Sequence, residues 1–305
     1  MTKKYVLTIA GVLLVALAGF LIFSESSSPD QQTNDQASQQ HKDDAANEQT
    51  NHDSDRQANA ASQKDVPINK ESEEPATGLK EFLNDTIKRT LDLFKDKKTY
   101  VTAVGDSLTQ GVGDDVVDGG YVGILDNQIN KNKNIMSFAN FGKRGNRSDQ
   151  LLERLSQPKI TDSIKHADMV LVTIGANDIM QVVKENVTDL HIEQFKPAKQ
   201  AYKHRLQRIF NNIHDLNQDA AIYLIGIYNP FEHYFDSIDE LDMIVDDWNE
   251  TGQNITEEYD QAAFIPIDDL FASGNTDLFA DDNFHPSHEG YQRMAKRVLN
   301  HIIDD

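Results

Sequence analysis

Three residues far apart in this chain sit in surroundings that suit one chemistry. Ser107 follows an apolar run within Gly105-Asp106-Ser107-Leu108-Thr109, and Asp282 precedes His285 by three positions in Asp282-Asn283-Phe284-His285-Pro286-Ser287. A serine hydroxyl is a weak nucleophile unless a base takes its proton during attack. His285 can be that base, and Asp282 can hold the imidazole tautomer and stabilise its charged form. The oxyanion formed when an ester is attacked then needs preorganised donors. The Ser107 N–H can supply one at the start of a helix, where amides are unpaired and the dipole favours an anion. The Gly145 N–H, in Asn140-Phe141-Gly142-Lys143-Arg144-Gly145-Asn146, and the Asn177 side-chain amide, in Gly175-Ala176-Asn177-Asp178, can supply two more. The set meets the needs of acyl transfer from an ester.

Each residue also has a plainer reading. Ser107 alone could cap a helix, since Asp and Ser favour that boundary. Asn177 and Asp178 could be turn residues after a strand; Asp178 is expected to be structural and Asn177 functional. Gly145 could serve only a positive φ, a role compatible with close approach to an oxyanion. His288, with Asp281 and Asp282, raises a metal reading, but no third cluster completes a ligand set. His288 is instead expected to begin a helix, and neither a metal nor an organic cofactor is expected. His166, His191, His204, His214 and His233 lie in polar or amphipathic stretches and are expected at the surface. The segment from Gly105 to Gly113 lacks the Gly-Lys-Ser/Thr ending of a phosphate loop. The Gly-x-Ser-x-Gly elbow is absent as well, because Thr109 follows where its second glycine would stand, which argues against the α/β-hydrolase scaffold.

The elements that must position these residues are legible as apolar runs. Tyr100–Val104, Ile135–Ala139, Met169–Ile174, Ala221–Ile227 and Ala263–Ile267 are short and mostly continuous, which predicts strands covered on both faces. Segments long enough for helices separate them, and a last helix is predicted from about His288 to Ile303. The pattern is an α/β one, a parallel sheet between helical layers. In such sheets ligands gather at the carboxyl ends of the strands, and the candidate residues fall at or beyond those ends.

Composition bounds the rest. The chain has 305 residues, no cysteine, and 29 basic against 50 acidic side chains, for a net charge of −21. Without cysteine there is no thiol nucleophile, thiolate metal site or N-terminal lipid-modified cysteine. The acidity disfavours nucleic acid, whose binding needs Lys and Arg to displace counterions. Residues 5–23 form an uncharged apolar run after Lys3 and Lys4. At about 1.5 Å per residue, this run approaches the roughly 30 Å hydrocarbon core. Two readings stand: a retained single-pass anchor with its N-terminus in the cytoplasm, or a signal peptide cleaved after Ala16-Leu17-Ala18, giving a secreted protein. Both place the remainder outside the cytoplasm. Residues 24–78 carry 12 acidic and 4 basic residues and almost nothing apolar, which predicts a disordered linker. Leu79, Phe82, Leu83, Ile87, Leu91 and Phe94 recur at helical spacing and mark the start of one folded domain, 79–305. That domain keeps a net charge of −15, which disfavours docking on anionic lipid.

Taken together, the four segments resemble the four blocks of the SGNH, or GDSL-type, hydrolases. Gly105-Asp-Ser-Leu108 is similar to the nucleophile block, and Asn140-x-x-x-x-Gly145-Asn-x-Ser148 to the glycine block. Gly175-x-Asn177-Asp178 is similar to the asparagine block, and Asp282-x-x-His285-Pro-Ser-x-x-Gly290-Tyr291 to the triad block. The resemblance spans about residues 99–303. It implies a three-layer α/β/α fold with a five-stranded, flavodoxin-like parallel sheet, and no metal or cofactor. It also implies Ser107 as nucleophile, His285 as base and Asp282 as orienter, with Ser107, Gly145 and Asn177 as oxyanion donors. The family spacing selects Asp282 over Asp281. The nearest kinds are lysophospholipase-like or arylesterase-like acylhydrolases, especially membrane-anchored ones of Gram-positive bacteria.

The expectation is therefore an extracytoplasmic serine ester hydrolase acting on lysophospholipids or other acyl esters. An esterase for acetylated cell-wall sugars, and an anchored binding or assembly protein without turnover, are the alternatives. Between the last two strands, Phe231, His233, Tyr234, Phe235, Ile238, Leu241, Met243, Ile244, Val245 and Trp248 fall among acids. They read equally as a lid over an acyl chain or as an ordinary amphipathic crossover.

Overall fold

The five apolar runs pair side by side into one sheet, all strands parallel, in the order β2-β1-β3-β4-β5. The structure is a computed structural model and describes residues 98–304, with the exception of 117–118, 132, 231–238 and 273–275. The strands are β1 (Thr99–Gly105), β2 (Met136–Gly142), β3 (Met169–Thr173), β4 (Ala221–Ile225) and β5 (Ala262–Ile265). A short helix α1 (Ser107–Gln110) and α2 (Gly120–Ile129) join β1 to β2, and α3 (Ser148–Arg154) and α4 (Pro158–Lys165) join β2 to β3. Then α5 (Ala176–Glu185) and α6 (Phe195–Leu216) lead to β4, and α7 (Asp239–Thr256) leads to β5. The chain continues through α8 (Asp268–Phe271) to α9 (His288–Asp304).

Strand side chains alternate between two cores. Val170 and Val172 of β3, with Ile222 and Leu224 of β4, pack against α3 through α7. Met169 and Leu171, with Tyr223 and Ile225, pack against α2, α8 and α9. Covering both faces buries every residue of β3, which is why its sequence is apolar without alternation. The helices contribute stripes at helical spacing: Tyr291, Met294, Ala295, Val298 and Leu299 form the buried face of α9.

The strand order is the flavodoxin-like one, and it reverses between β1 and β3. The connection leaving β1 therefore passes to one face of the sheet and the connection leaving β3 to the other. Such a reversal favours a ligand site at the carboxyl edge, where Ser107 follows β1 and Asn177 follows β3. The edge strand β2 runs three residues beyond its apolar stretch, pairing Gly142 with Gly105. Its end is held by backbone bonds, so Asn140 can stand there with its side chain donating to the Thr109 carbonyl at 2.7 Å.

The apolar run 5–23, the linker 24–78 and the helical spacing of residues 79–94 lie outside the described residues. Among the described residues, no helix is long and apolar enough to cross a membrane. Phe231, His233, Tyr234, Phe235 and Ile238 also lie outside them. The remainder of that segment belongs to α7, where Leu241, Ile244, Val245 and Trp248 are buried and Met243 is exposed. Trp248 stacks on Tyr202 of α6 and meets the edge of Phe195. This half is a crossover helix packed on its neighbours.

Candidate active site

The nucleophile segment is built around a buried carboxylate. Asp106, not Ser107, caps α1, its Oδ1 accepting the Leu108 N–H at 3.0 Å and the Thr173 hydroxyl at 2.8 Å. Capping by the preceding residue places Ser107 at the first helical position, where it is 6% exposed. Burial pushes the Asp106 carboxyl up to about 7, against the lowering effect of these hydrogen bonds. Gly105 is packed so closely that a Cβ would collide with the Thr173 carbonyl and hydroxyl. The four-residue helix closes at Gly111, and the Ser107 carbonyl accepts the N–H groups of Gly111 and Val112, each at 3.0 Å.

His285 sits at the end of a tight loop. Phe279 bridges Pro286, and the Ala280 N–H donates to the His285 carbonyl at 2.8 Å. Within the loop, Asp282 Oδ1 accepts the N–H groups of Phe284 and His285 at 3.0 and 2.9 Å. This fixes the carboxylate so that Oδ2 lies 2.6 Å from His285 Nδ1. Burial opposes ionisation of Asp282, but the His285 ring and the two N–H donors together hold it below the ordinary carboxylate range. Asp281 is exposed, and the carboxylate beside the ring is that of Asp282. The imidazole itself is buried, with residue exposure of 1%.

The two loops pack against one another. A Cβ on Gly113 would lie 2.8 Å from His285 Cβ and 2.7 Å from the Pro286 carbonyl oxygen. Tyr291 Oη donates to the Val112 carbonyl at 2.7 Å, and Val112 is itself bonded to Ser107.

Two of the candidate oxyanion donors, Gly145 and Asn177, lie on segments that hydrogen-bond to one another. Gly145 adopts φ +76° with nothing within 4 Å of a would-be Cβ, so its conformation rather than crowding favours glycine. Gly142 differs, because a Cβ there would strike the α1 backbone. Arg154 clamps this loop, donating to Asn146 Oδ1 and to the Phe141 carbonyl, both at 2.6 Å. Asn177 Nδ2 donates to the Asn146 carbonyl at 3.0 Å, beside Gly145. Asp178 is buried, with Ser148 and Arg205 on its oxygens.

A small apolar cleft of about 30 Å³ opens beside these groups. Ile179, Met180 and Val183 of α5, Leu241 and Val245 of α7, and Phe284 line it. Its lining includes Ala176 and Phe284, the immediate neighbours of Asn177 and His285.

His288 begins α9 as expected, and its Nδ1 lies 3.0 Å from both carboxylate oxygens of Asp114. It is paired there and not with Asp281 or Asp282. Among the described residues, no group of three or more His, Asp or Glu is placed to hold a metal ion. His166, His191, His204 and His214 are exposed, and His233 lies outside the described residues. Sequence reasoning missed Asp106, Arg154, Arg205 and Asp114. Arg205 left one faint signal, an arginine flanking the apolar stripe Tyr202, Leu206 and Ile209 of α6.

The profile of the GDSL-like Lipase/Acylhydrolase family matches residues 103–293, from the middle of β1 into α9. The uncharacterized protein YpmR of Bacillus subtilis strain 168 is 38% identical over 207 residues, covering 66% of this chain and 80% of YpmR. The spore germination lipase LipC of Bacillus licheniformis is 27% identical over 202 residues, 65% of this chain and 93% of LipC. The crystal structure of the lipase Lip_vut3, from a goat rumen metagenome, shares the fold. Its TM-score is 0.59 at 24% identity, over 67% of this chain and 97% of Lip_vut3. Ordered blocks, sheet topology and family profile agree: the chain belongs to the GDSL-like lipase/acylhydrolase family and is a serine ester hydrolase.

Proposed function

We propose that Ser107, His285 and Asp282 form the catalytic triad of an acyl ester hydrolase working outside the cytoplasmic membrane. The observation that carries the triad is the 2.6 Å contact between Asp282 Oδ2 and His285 Nδ1. A proton held on Nδ1 leaves the Nε2 lone pair to act as base. Ser107 Oγ loses its proton to Nε2 as it attacks the ester carbonyl carbon, giving a tetrahedral oxyanion. The Ser107 and Gly145 N–H groups and Asn177 Nδ2 take up that charge. Protonated His285 then gives its proton to the departing alcohol oxygen, leaving an acyl-serine. Water, deprotonated by His285, attacks the acyl carbon, and collapse of the second tetrahedral intermediate releases the acid and restores Ser107.

The acyl portion is a hydrocarbon chain, of lysophospholipid type or a comparable ester. The apolar cleft between α5 and α7 supports this reading, as does the likeness to a protein named a lipase. The apolar run after Lys3 and Lys4 supports a membrane link through the N-terminus, with the hydrolase outside.

The test is hydrolysis of an ester series from acetate to long-chain acyl by the full chain and by Ser107→Ala. The triad requires at least about 10³-fold loss in Ser107→Ala, and equal rates would overturn it. Strongest activity on acetate esters would replace the lipid reading with the acetylated-sugar one. Protease added to intact cells should digest the hydrolase domain; full protection would overturn the external location.

A further inference from the structure

Asp178 and Ser148 are buried, at 3% and 0% exposure, and each belongs to a segment carrying a candidate oxyanion donor. Asp178 follows Asn177 directly, and Ser148 stands three residues after Gly145. One carboxylate joins the segments: Oδ2 accepts the Ser148 N–H at 2.9 Å, and Oδ1 accepts the Ser148 hydroxyl at 2.6 Å. Ser148 is the first residue of α3, so Asp178 satisfies an amide at the start of the helix that Gly145 leads into. Arg205 of α6 completes the group, its Nε donating to Ser148 Oγ at 2.6 Å and its Nη2 to Asp178 Oδ1 at 2.9 Å.

The directions of these bonds are fixed. A guanidinium only donates, so Ser148 Oγ must accept from Arg205 and point its own proton at Asp178. The buried carboxylate would be costly alone, and Arg205 offsets that cost while selecting its orientation. A second tie, Asn177 Nδ2 to the Asn146 carbonyl, connects the same two segments. Two bonds at adjacent positions set angle as well as separation.

From this we infer that Arg205 is a positioning residue for the oxyanion hole. It acts through Asp178 and Ser148 to fix the Gly145 N–H relative to Asn177 Nδ2. The inference rests on the reading of Gly145 and Asn177 as oxyanion donors. Loss of Arg205 leaves the Asn177–Asn146 tie in place but lets Asp178 and Ser148 turn, and a displacement near 1 Å costs about 10²-fold in rate.

The test measures kcat and KM for a p-nitrophenyl ester with the full chain, with active sites counted by complete labelling with a fluorophosphonate. Arg205→Met is expected to lower kcat per active site by about 10- to 100-fold with KM little changed. Arg205→Lys restores little, because an ammonium cannot supply two directed donors. The double variant Arg205→Met with Ser148→Ala should be no worse than Arg205→Met alone, as expected for residues acting as one unit. Wild-type kcat per active site in Arg205→Met, whatever its melting temperature, would reduce Arg205 to a purely structural role and overturn the inference. Ser148→Ala removes one hydroxyl and no charge, so it carries the same test should Arg205→Met not fold. In it a drop of about tenfold supports the inference and an unchanged kcat overturns it. Asn177→Ala separates the two levels. If it keeps wild-type kcat, the oxyanion reading has failed and the inference falls with it. If kcat drops in Asn177→Ala but not in Arg205→Met, only the inference has failed.

Discussion

Asp106, just past the end of β1, and Thr173, at the end of β3, are bonded through both backbone and side chain. The Asp106 N–H donates to the Thr173 carbonyl at 3.2 Å, and the Thr173 hydroxyl donates to Asp106 Oδ1 at 2.8 Å. The carboxylate is thus pinned directly before Ser107, in a place where burial favours its neutral form.

That burial has a consequence for stability. The carboxyl titrates at about 7 when folded, against 3.8 as its ordinary value. Between these values the folded state holds a proton that the unfolded state has lost, so stability falls as pH rises through that window. The slope from this one group is at most about 1.4 kcal/mol per pH unit. Asp106→Asn keeps the acceptor for Leu108 and Thr173 but cannot ionise. Its melting temperature should therefore decline less than that of the wild type between pH 4 and 7. Parallel declines in the two proteins would show that Asp106 is not the group responsible.

Asp282→Asn keeps the shape of the loop but presents an amide to His285 Nδ1. The expected result is a fall in kcat of about 10⁴-fold through the wrong imidazole tautomer, with circular dichroism unchanged. Asp281→Asn, altering an exposed side chain, should leave the rate within twofold. Steady-state assays on one ester distinguish the two positions.

Asn177→Ala should lower kcat by about 10²- to 10³-fold, the usual effect of removing one oxyanion donor. KM should stay close to the wild-type value, because the lost bond strengthens only as charge develops on the substrate oxygen. A change confined to KM would assign Asn177 to substrate binding instead.

Met180→Trp fills the cleft between α5 and α7. Its effect should grow with acyl length: little change for acetate esters, and at least about tenfold lower kcat/KM for long-chain ones, at roughly 1–3 kcal/mol per displaced methylene. A uniform loss across the series would mean that the chain lies elsewhere.

Much of this arrangement was legible from sequence because it depends on local pattern. The uninterrupted apolarity of Met169–Thr173 follows from burial on both faces, whereas the choice of Asp282 over Asp281 came from the family resemblance and not from spacing alone. Strand β2 was less legible, since its last residues owe their place to backbone pairing with β1 and not to apolar side chains. Arg205 left only a faint signal for another reason. Its partners Asp178 and Ser148 lie 27 and 57 positions away, and no local pattern sets Arg205 apart from Arg208 on the same amphipathic helix. Asp114 and His288 are 174 positions apart and meet only because the turn after α1 packs against the start of α9.

Gly113 stands with His285 and Pro286 at its back, with no room for even a methyl group. The segment after the serine and the loop bearing the histidine therefore move as one body, without slack between them. Heat or denaturant cannot part the two without also disturbing the packing between α2 and α9. Hydrolase activity should accordingly vanish together with the sheet, in a single transition, and not at a milder threshold of its own.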